Sequence, residues 1–128
     1  RMKVALEANS YEDEHDCFSD NTHNSHYYNG KGIQNVYTGT YLRVDGTELT
    51  GASLSDLVAN NDAQLDQKLT AELDSTMAAL GEMKTRAEAS ENPVKFDMMI
   101  APDNAEGEKV AAIVGVDSLQ PDDAGHSF

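Results

Sequence analysis

The feature that most constrains the fold is a long amphipathic stretch from Ala63 to about Ser90. Apolar side chains recur there every three or four residues, at Leu65, Leu69, Leu73, Met77, Leu80, Met83 and Ala87. Charged residues fall outside this stripe. A helix with one continuous apolar face is typical of a bundle, in which the stripe packs along a partner helix. The sequence therefore predicts an all-α fold, a helical bundle.

A second helix is predicted from Asp20 to about Leu42. Positions 19–22 carry four residue types that are preferred at helix N-caps, and the apolar side chains that follow mostly recur at helical spacings. Gly30 and Gly32 weaken this helix, because each costs up to about 1 kcal/mol relative to alanine. Close approach of another helix or a ligand would explain both glycines. The alternative is a helix that starts or kinks near Gly32.

Two further segments lie between the long helices. Residues 43–52 contain an Asp-Gly turn signal and alternate weakly in polarity. We interpret them as an irregular excursion, with a small hairpin as the alternative. Ser53 followed three residues later by Asp56 resembles a capping box, which predicts a short helix from Leu54 to about Ala59.

The two ends of the chain are predicted to be helical as well. Residues 1–9 have helical composition with no cap before them, so we expect the chain to begin inside a helix and to be a fragment of a larger protein. A short apolar segment over residues 96–102 is predicted to close one end of the core. A last helix is predicted from Asp103 or Asn104 to about Leu119.

The charge of the chain limits its partners. It carries 9 basic and 23 acidic residues, a formal net charge of −14. Nucleic acids and anionic lipids attract basic surfaces, so neither is an expected partner. No apolar run approaches the roughly 18 residues of a membrane span. Cys17 is the only cysteine, so the chain has no internal disulfide.

Most of the residues with metal-binding side chains lie close together in the sequence. Three of the four histidines and the single cysteine fall between His15 and His26. If Asp20 opens a helix, Asp20 and His23 lie on the same face of its first turn. Carboxylate oxygens and imidazole nitrogens suit iron or zinc, so Asp20, His23 and His15 are the predicted metal ligands.

Two alternative interpretations of this stretch remain open. In the first, Ser19 or Asp20 is only a helix cap, and the histidines are ordinary surface or core residues. In the second, Cys17 is a nucleophile activated by a nearby imidazole. The surrounding acidic charge disfavours the second alternative, because it raises the pKa of a thiol.

The stretch also resembles a known family. The run from Glu12 to His23, the Gly-Ile-Gln-Asn-Val-Tyr-Thr-Gly string at 32–39 and the Ser-Leu-Ser-Asp-Leu-Val string at 53–58 are similar to the second half of imelysin-like proteins. That family includes insulin-cleaving metallopeptidase homologues and iron-regulated proteins. The resemblance implies two related helical bundles, with residues 1–120 as the C-terminal bundle and 121–128 as a divergent tail. It also implies bacterial export to the periplasm or outer membrane and a link to iron uptake.

The resemblance implies a site as well. Glu14, Asp16, Ser19, Asp20 and His23 would line a cleft facing the family's Gly-x-His-x-x-Glu motif, which belongs to the preceding half. That motif is absent here, because no histidine of this chain is followed by glutamate at the third position.

Catalytic residues are therefore not assigned, and the expected partners are a missing N-terminal half or a second chain, together with a metal ion. The favoured function is an extracytoplasmic iron-binding protein of iron uptake or homeostasis. The alternatives are a zinc-dependent peptidase and a purely structural bundle.

Overall fold

The structure, a computed structural model, describes residues 2–114 and is mainly helical. Its helices are α1 (Met2–Ala8), α2 (Thr22–Thr38), α3 (Leu54–Asn61), α4 (Ala63–Ala87), α5 (Phe96–Met99) and α6 (Gly107–Ile113). A single 3-10 turn covers Tyr11–Asp13 in the described part. Strands β1 (Thr40–Leu42) and β2 (Glu48–Thr50) pair antiparallel. The predicted all-α class is confirmed, since the described strands form only this hairpin.

The chain packs as two compact units. The terminal unit combines the residues up to Ser25 with those from Glu82 onward, and the central unit is His26–Gly81. The division into two units does not test the assignment of residues 1–120 to one C-terminal bundle, which remains a prediction. The predicted tail, residues 121–128, lies outside the described residues.

The terminal unit contains most of the buried apolar side chains. Those with almost no exposure include Leu6, Phe96, Ile100 and Val110, drawn from both ends of the chain. The side-chain amide of Asn9 donates a 2.7 Å hydrogen bond to the carbonyl of Ile100, which joins the end of α1 to the end of α5. The segment around Phe96 thus contributes to a core, as the sequence predicted.

The central unit is joined by polar contacts between its helices. The Tyr37 hydroxyl of α2 and the Ser55 hydroxyl of α3 both donate to Asp66 Oδ1 of α4, at 2.9 Å and 2.6 Å. Gln34 Nε2 donates to Asp74 Oδ1 at 2.8 Å. Among the described apolar residues of this unit, Leu80 alone is classed as buried.

The predicted bounds of α2 were wrong at both ends. The helix begins at Thr22 because Asp20 has a left-handed backbone, with φ of 51°, and its N–H donates to the Cys17 carbonyl at 3.2 Å. It ends at Thr38 because Gly39, with φ of 66°, turns the chain into β1. No kink is needed at Gly32, which lies inside the continuous helix.

The other predictions have mixed outcomes. Helix α4 and the capping box are confirmed: the Asp56 N–H donates to Ser53 Oγ, and the Ser53 N–H donates to Asp56 Oδ2. The irregular excursion over residues 43–52 was wrong, since a hairpin forms there around Gly46. The last helix starts later than predicted, at Gly107, and its expected end at Leu119 lies outside the described residues.

Candidate functional site

Among the described residues of the terminal unit, His23 is the most deeply buried ionisable side chain, with 1% of its surface exposed. It occupies the first turn of α2, where Nε2 lies 3.7 Å from Glu88 Oε1. Burial lowers the pKa of His23, and the positive charge of Lys95 lowers it further, while Glu88 acts in the opposite direction. The imidazole is therefore neutral near pH 7, which is the form that binds metal ions.

Glu14 is the other buried ionisable group in the part of this unit that the structure describes, at 9% exposure. Burial raises the pKa of its carboxyl group, and the negative charges of Asp97 and Asp20 raise it further. A hydrogen bond from Thr22 partly offsets these effects. The Thr22 hydroxyl also accepts a 3.0 Å hydrogen bond from the Asp16 N–H, so it links the loop before α2 to the first turn.

Several buried polar atoms of the terminal unit have no hydrogen-bond partner in the part of the chain that the structure describes. These are Glu14 Oε2, His23 Nδ1, Asn24 Oδ1 and Asp97 Oδ1. An unsatisfied buried polar atom costs roughly 1–3 kcal/mol, so each one requires an explanation. Two of them, a carboxylate oxygen and an imidazole nitrogen, are donor types that metal ions use.

The predicted site residues have different surroundings. Glu14 and His23 are buried, while Asp20 is exposed but close enough that its charge affects the pKa of both. The predicted helical pairing of Asp20 with His23 was wrong, because Asp20 precedes the helix in a turn.

The remaining predicted residues lie nearer the surface. Asp16 is half-buried and accepts a 3.0 Å hydrogen bond from Ser25 Oγ, while Ser19 and His15 are exposed. The hydrogen bonds from Ser19 and Ser25 lower the pKa of Asp16. Asp16 is therefore ionised at neutral pH.

Sequence reasoning missed the residues that approach from the distant part of the chain. Glu88 Oε1 accepts a 2.8 Å hydrogen bond from Asn24 Nδ2, across 64 positions of sequence. An ion pair with Lys84 and the bond from Asn24 lower the pKa of Glu88, so it carries a negative charge beside His23. Asp97 was missed for the same reason. No local spacing signals a contact over such separations.

The surroundings of Cys17 do not suit the role of a thiol nucleophile. Burial and the negative charge of Glu14 raise the pKa of the Cys17 thiol. A raised pKa reduces the fraction of reactive thiolate at neutral pH. The sequence argument against this alternative is confirmed.

The described residues of the terminal unit do not by themselves form a metal site. Among residues 2–114, no group of three or more His, Cys, Asp or Glu side chains is placed to hold a metal ion. The unpartnered atoms of Glu14 and His23 fit iron or zinc in chemical type, since both metals accept carboxylate oxygen and imidazole nitrogen. Further donors from outside the described residues are needed to complete such a site.

These features define a helical protein with a buried histidine in the first turn of α2 and a buried glutamate in the loop before that helix. The imelysin family model matches residues 1–120. The chain belongs to the imelysin family. No curated protein matches it. Within residues 2–114, none of the helices is long and apolar enough to cross a membrane.

The burial of Glu14 predicts a pH-dependent gain in stability for Glu14→Gln in protein treated with a chelator. The folded-state pKa of Glu14 is raised above its usual 4.5, so at pH 7.5 its charge destabilises the folded state. We expect Glu14→Gln to be more stable by roughly 1 kcal/mol at pH 7.5. The gain should shrink as pH falls towards 4.5, where the wild-type carboxyl group becomes protonated.

Urea unfolding at pH 7.5 and pH 5 measures this gain. Glu12→Gln is the matched control, because it removes the same charge from an exposed side chain two residues away. An equal gain in the two variants would mean that net charge, and not burial, causes it.

Proposed function

We propose that this chain is the metal-binding part of an imelysin-family protein of iron uptake or homeostasis. His23 and Glu14 contribute one nitrogen and one oxygen donor, and iron or zinc is the bound ion. The observation that carries the proposal is the pair of buried, unpartnered atoms, His23 Nδ1 and Glu14 Oε2. Membership of the family supports the role in iron uptake.

The remaining metal donors of the proposed site come from outside the described residues. A preceding half of the same protein, or a second chain, supplies them in this proposal, because the described residues offer too few. A bound ion would neutralise the charge of Glu14 and occupy the free nitrogen of His23. Both effects would relieve the destabilisation that burial of these groups causes.

The proposed location is the periplasm or the outer membrane of a bacterium. The support is the resemblance of the 12–23 run to exported iron-regulated proteins. Fractionation of cells expressing the native protein tests it, and recovery in the cytoplasmic fraction would contradict it.

Substitution of His23 tests the metal site. We expect His23→Gln to weaken binding of Fe²⁺ and Zn²⁺ by at least tenfold, because loss of a group that orients or supplies a ligand has effects of roughly 10–100-fold. Calorimetric titration of the native full-length protein, under anaerobic conditions for iron, measures the affinity. Glutamine avoids the cavity that alanine would leave at this buried position.

Matched variants locate the donors. His15→Gln removes an exposed imidazole eight residues earlier and is expected to leave the affinity within twofold of the wild type, although His15 is a predicted ligand. Asp20→Ala tests the third predicted ligand. Equal affinity of the wild type and His23→Gln for both ions would remove the proposed site.

A zinc-dependent peptidase is the second candidate. The observation in its favour is the raised pKa of Glu14, since a buried glutamate with a raised pKa is typical of a general base. In that case Glu14 accepts a proton from water and does not bind the metal ion. Glu14→Gln would then abolish hydrolysis of a peptide substrate while leaving zinc affinity unchanged, whereas a ligand role predicts loss of zinc affinity.

A further inference from the structure

The central unit exposes an unusual share of the apolar surface. Of the fifteen large apolar side chains that are exposed among the described residues, eleven belong to this unit, although it holds fewer than half of the residues. Its buried apolar set is limited to Leu80. Scattered apolar side chains are normal on a protein surface, whereas apolar side chains gathered in one contiguous patch mark a site of interaction.

Some of these exposed apolar side chains line a groove on α2. It has a volume of about 540 Å³ and is lined by Asn29, Gly32, Ile33, Val36, Tyr37 and Leu54. Positions 29, 33 and 36 recur at helical spacing, so they form one face of α2. Gly32 lies between them and leaves a notch, because it has no side chain. We call this surface the α2 groove.

The packing of the chain itself does not require a glycine at position 32. A Cβ atom placed there would have no neighbour within 4 Å. Gly30 is different, because a Cβ atom at that position would lie 2.7 Å from Leu80 Cδ1. Gly30 is therefore explained by internal packing. Gly32 weakens the helix relative to alanine, and no internal contact of this kind explains it. Close approach by a molecule from outside provides the reason.

The charges around the α2 groove indicate the charge of a partner that would bind there. Asp66 is connected to the α2 groove through Tyr37, a lining residue whose hydroxyl donates a hydrogen bond to Asp66 Oδ1, and Ser55 donates to the same oxygen. No lysine or arginine within residues 2–114 forms an ion pair with it. The central unit as a whole has seven acidic and three basic residues. A basic partner is therefore favoured, and a second copy of this chain, with its own charge of −14, is disfavoured.

We propose that the α2 groove binds an amphipathic helix supplied from outside this chain, with lysine or arginine at the rim of its apolar face. An apolar side chain of that helix enters the notch over Gly32, and a basic side chain pairs with Asp66. Insertion of apolar anchors into a groove, flanked by complementary charge, is a common mode of helix recognition. This inference is independent of the metal site, which belongs to the other unit.

A synthetic helix of leucine and lysine serves as the probe. We expect it to bind the full chain saturably in fluorescence anisotropy at about 150 mM salt, where screening limits non-specific attraction. A matched helix of leucine and glutamate should not bind. Gly32→Leu fills the notch and is expected to weaken binding of the leucine–lysine helix at least tenfold.

Two controls keep the experiment decisive. Ala78→Leu adds the same side chain at an exposed position of α4 outside the groove, and it should leave the affinity unchanged. If circular dichroism shows that Gly32→Leu does not fold, Gly32→Ala replaces it, because alanine stabilises the helix, and it too is expected to weaken binding of the leucine–lysine helix.

Three results would overturn the proposal: no binding of the leucine–lysine helix, equal affinity for the wild type and the folded Gly32 variant, or equal losses for Gly32→Leu and Ala78→Leu. A dimer in sedimentation analysis that is lost with Gly32→Leu would also overturn it, in favour of a second copy.

Discussion

Replacing Phe96 with alanine is expected to lower the free energy of unfolding by about 3–5 kcal/mol, the range for a phenylalanine removed from a packed core. Phe96 begins α5 and has 1% of its surface exposed. It is the largest of the fully buried side chains among the described residues. Because small proteins have only about 5–15 kcal/mol of total stability, this one substitution would remove a large part of it.

The chain contains a matched control for this prediction. Phe18 is fully exposed, so Phe18→Ala makes the same chemical change without opening a cavity. We expect the free energy of unfolding of Phe18→Ala to lie within about 0.5 kcal/mol of the wild type. Urea unfolding followed by circular dichroism compares the two variants. Similar losses at both positions would show that Phe96 does not belong to a packed core.

Local patterns in the sequence predict the local parts of this structure. The stripe of α4 recurs over 25 residues, so a helix is indicated many times over. The capping box depends on two residues three positions apart, Ser53 and Asp56, and both hydrogen bonds form. In such cases the interacting groups are neighbours in sequence, and spacing alone identifies them.

Local sequence patterns did not predict the first residue of α2, because backbone conformation determines it. Positions 19–22 all carry N-cap residue types, so composition does not select among them. The structure selects through the left-handed turn at Asp20, which breaks the right-handed helix before Thr22. The hairpin over residues 43–52 was predicted only as the alternative to an irregular segment, because its local pattern is also weak. Its three-residue strands are too short for alternation to be distinctive.

The candidate site was predictable only in part. His23 and Glu14 were predicted as site residues, because both lie in the stretch of the sequence that is rich in metal-binding residue types. Their burial, which changes their pKa values, depends on packing within the terminal unit. The charged neighbours Glu88 and Lys95 come from more than 60 positions away. Contacts of that range follow from the tertiary fold.

The second large effect is expected from Gly39→Ala, which we predict to reduce the free energy of unfolding by about 2–4 kcal/mol. Two causes contribute. Gly39 has φ of 66°, where an alanine costs roughly 1–2 kcal/mol. A Cβ atom there would also lie 2.7 Å from the carbonyl oxygen of Gly51 and 2.8 Å from Ser53 Cβ. The first of these neighbours is backbone, so relief of the clash requires movement of the chain.

Gly46→Ala separates the two causes. Gly46 also has a positive φ, 83°, but a Cβ atom at that position would have no neighbour within 4 Å. Its loss should therefore be limited to the backbone term, about 1–2 kcal/mol. Urea unfolding of both variants gives the difference, which measures the steric part. Equal losses would mean that the end of α2 is not held against Ser53, the N-cap residue of α3. A larger loss at Gly39 would mean that one glycine both ends α2 and sets its approach to the next helix.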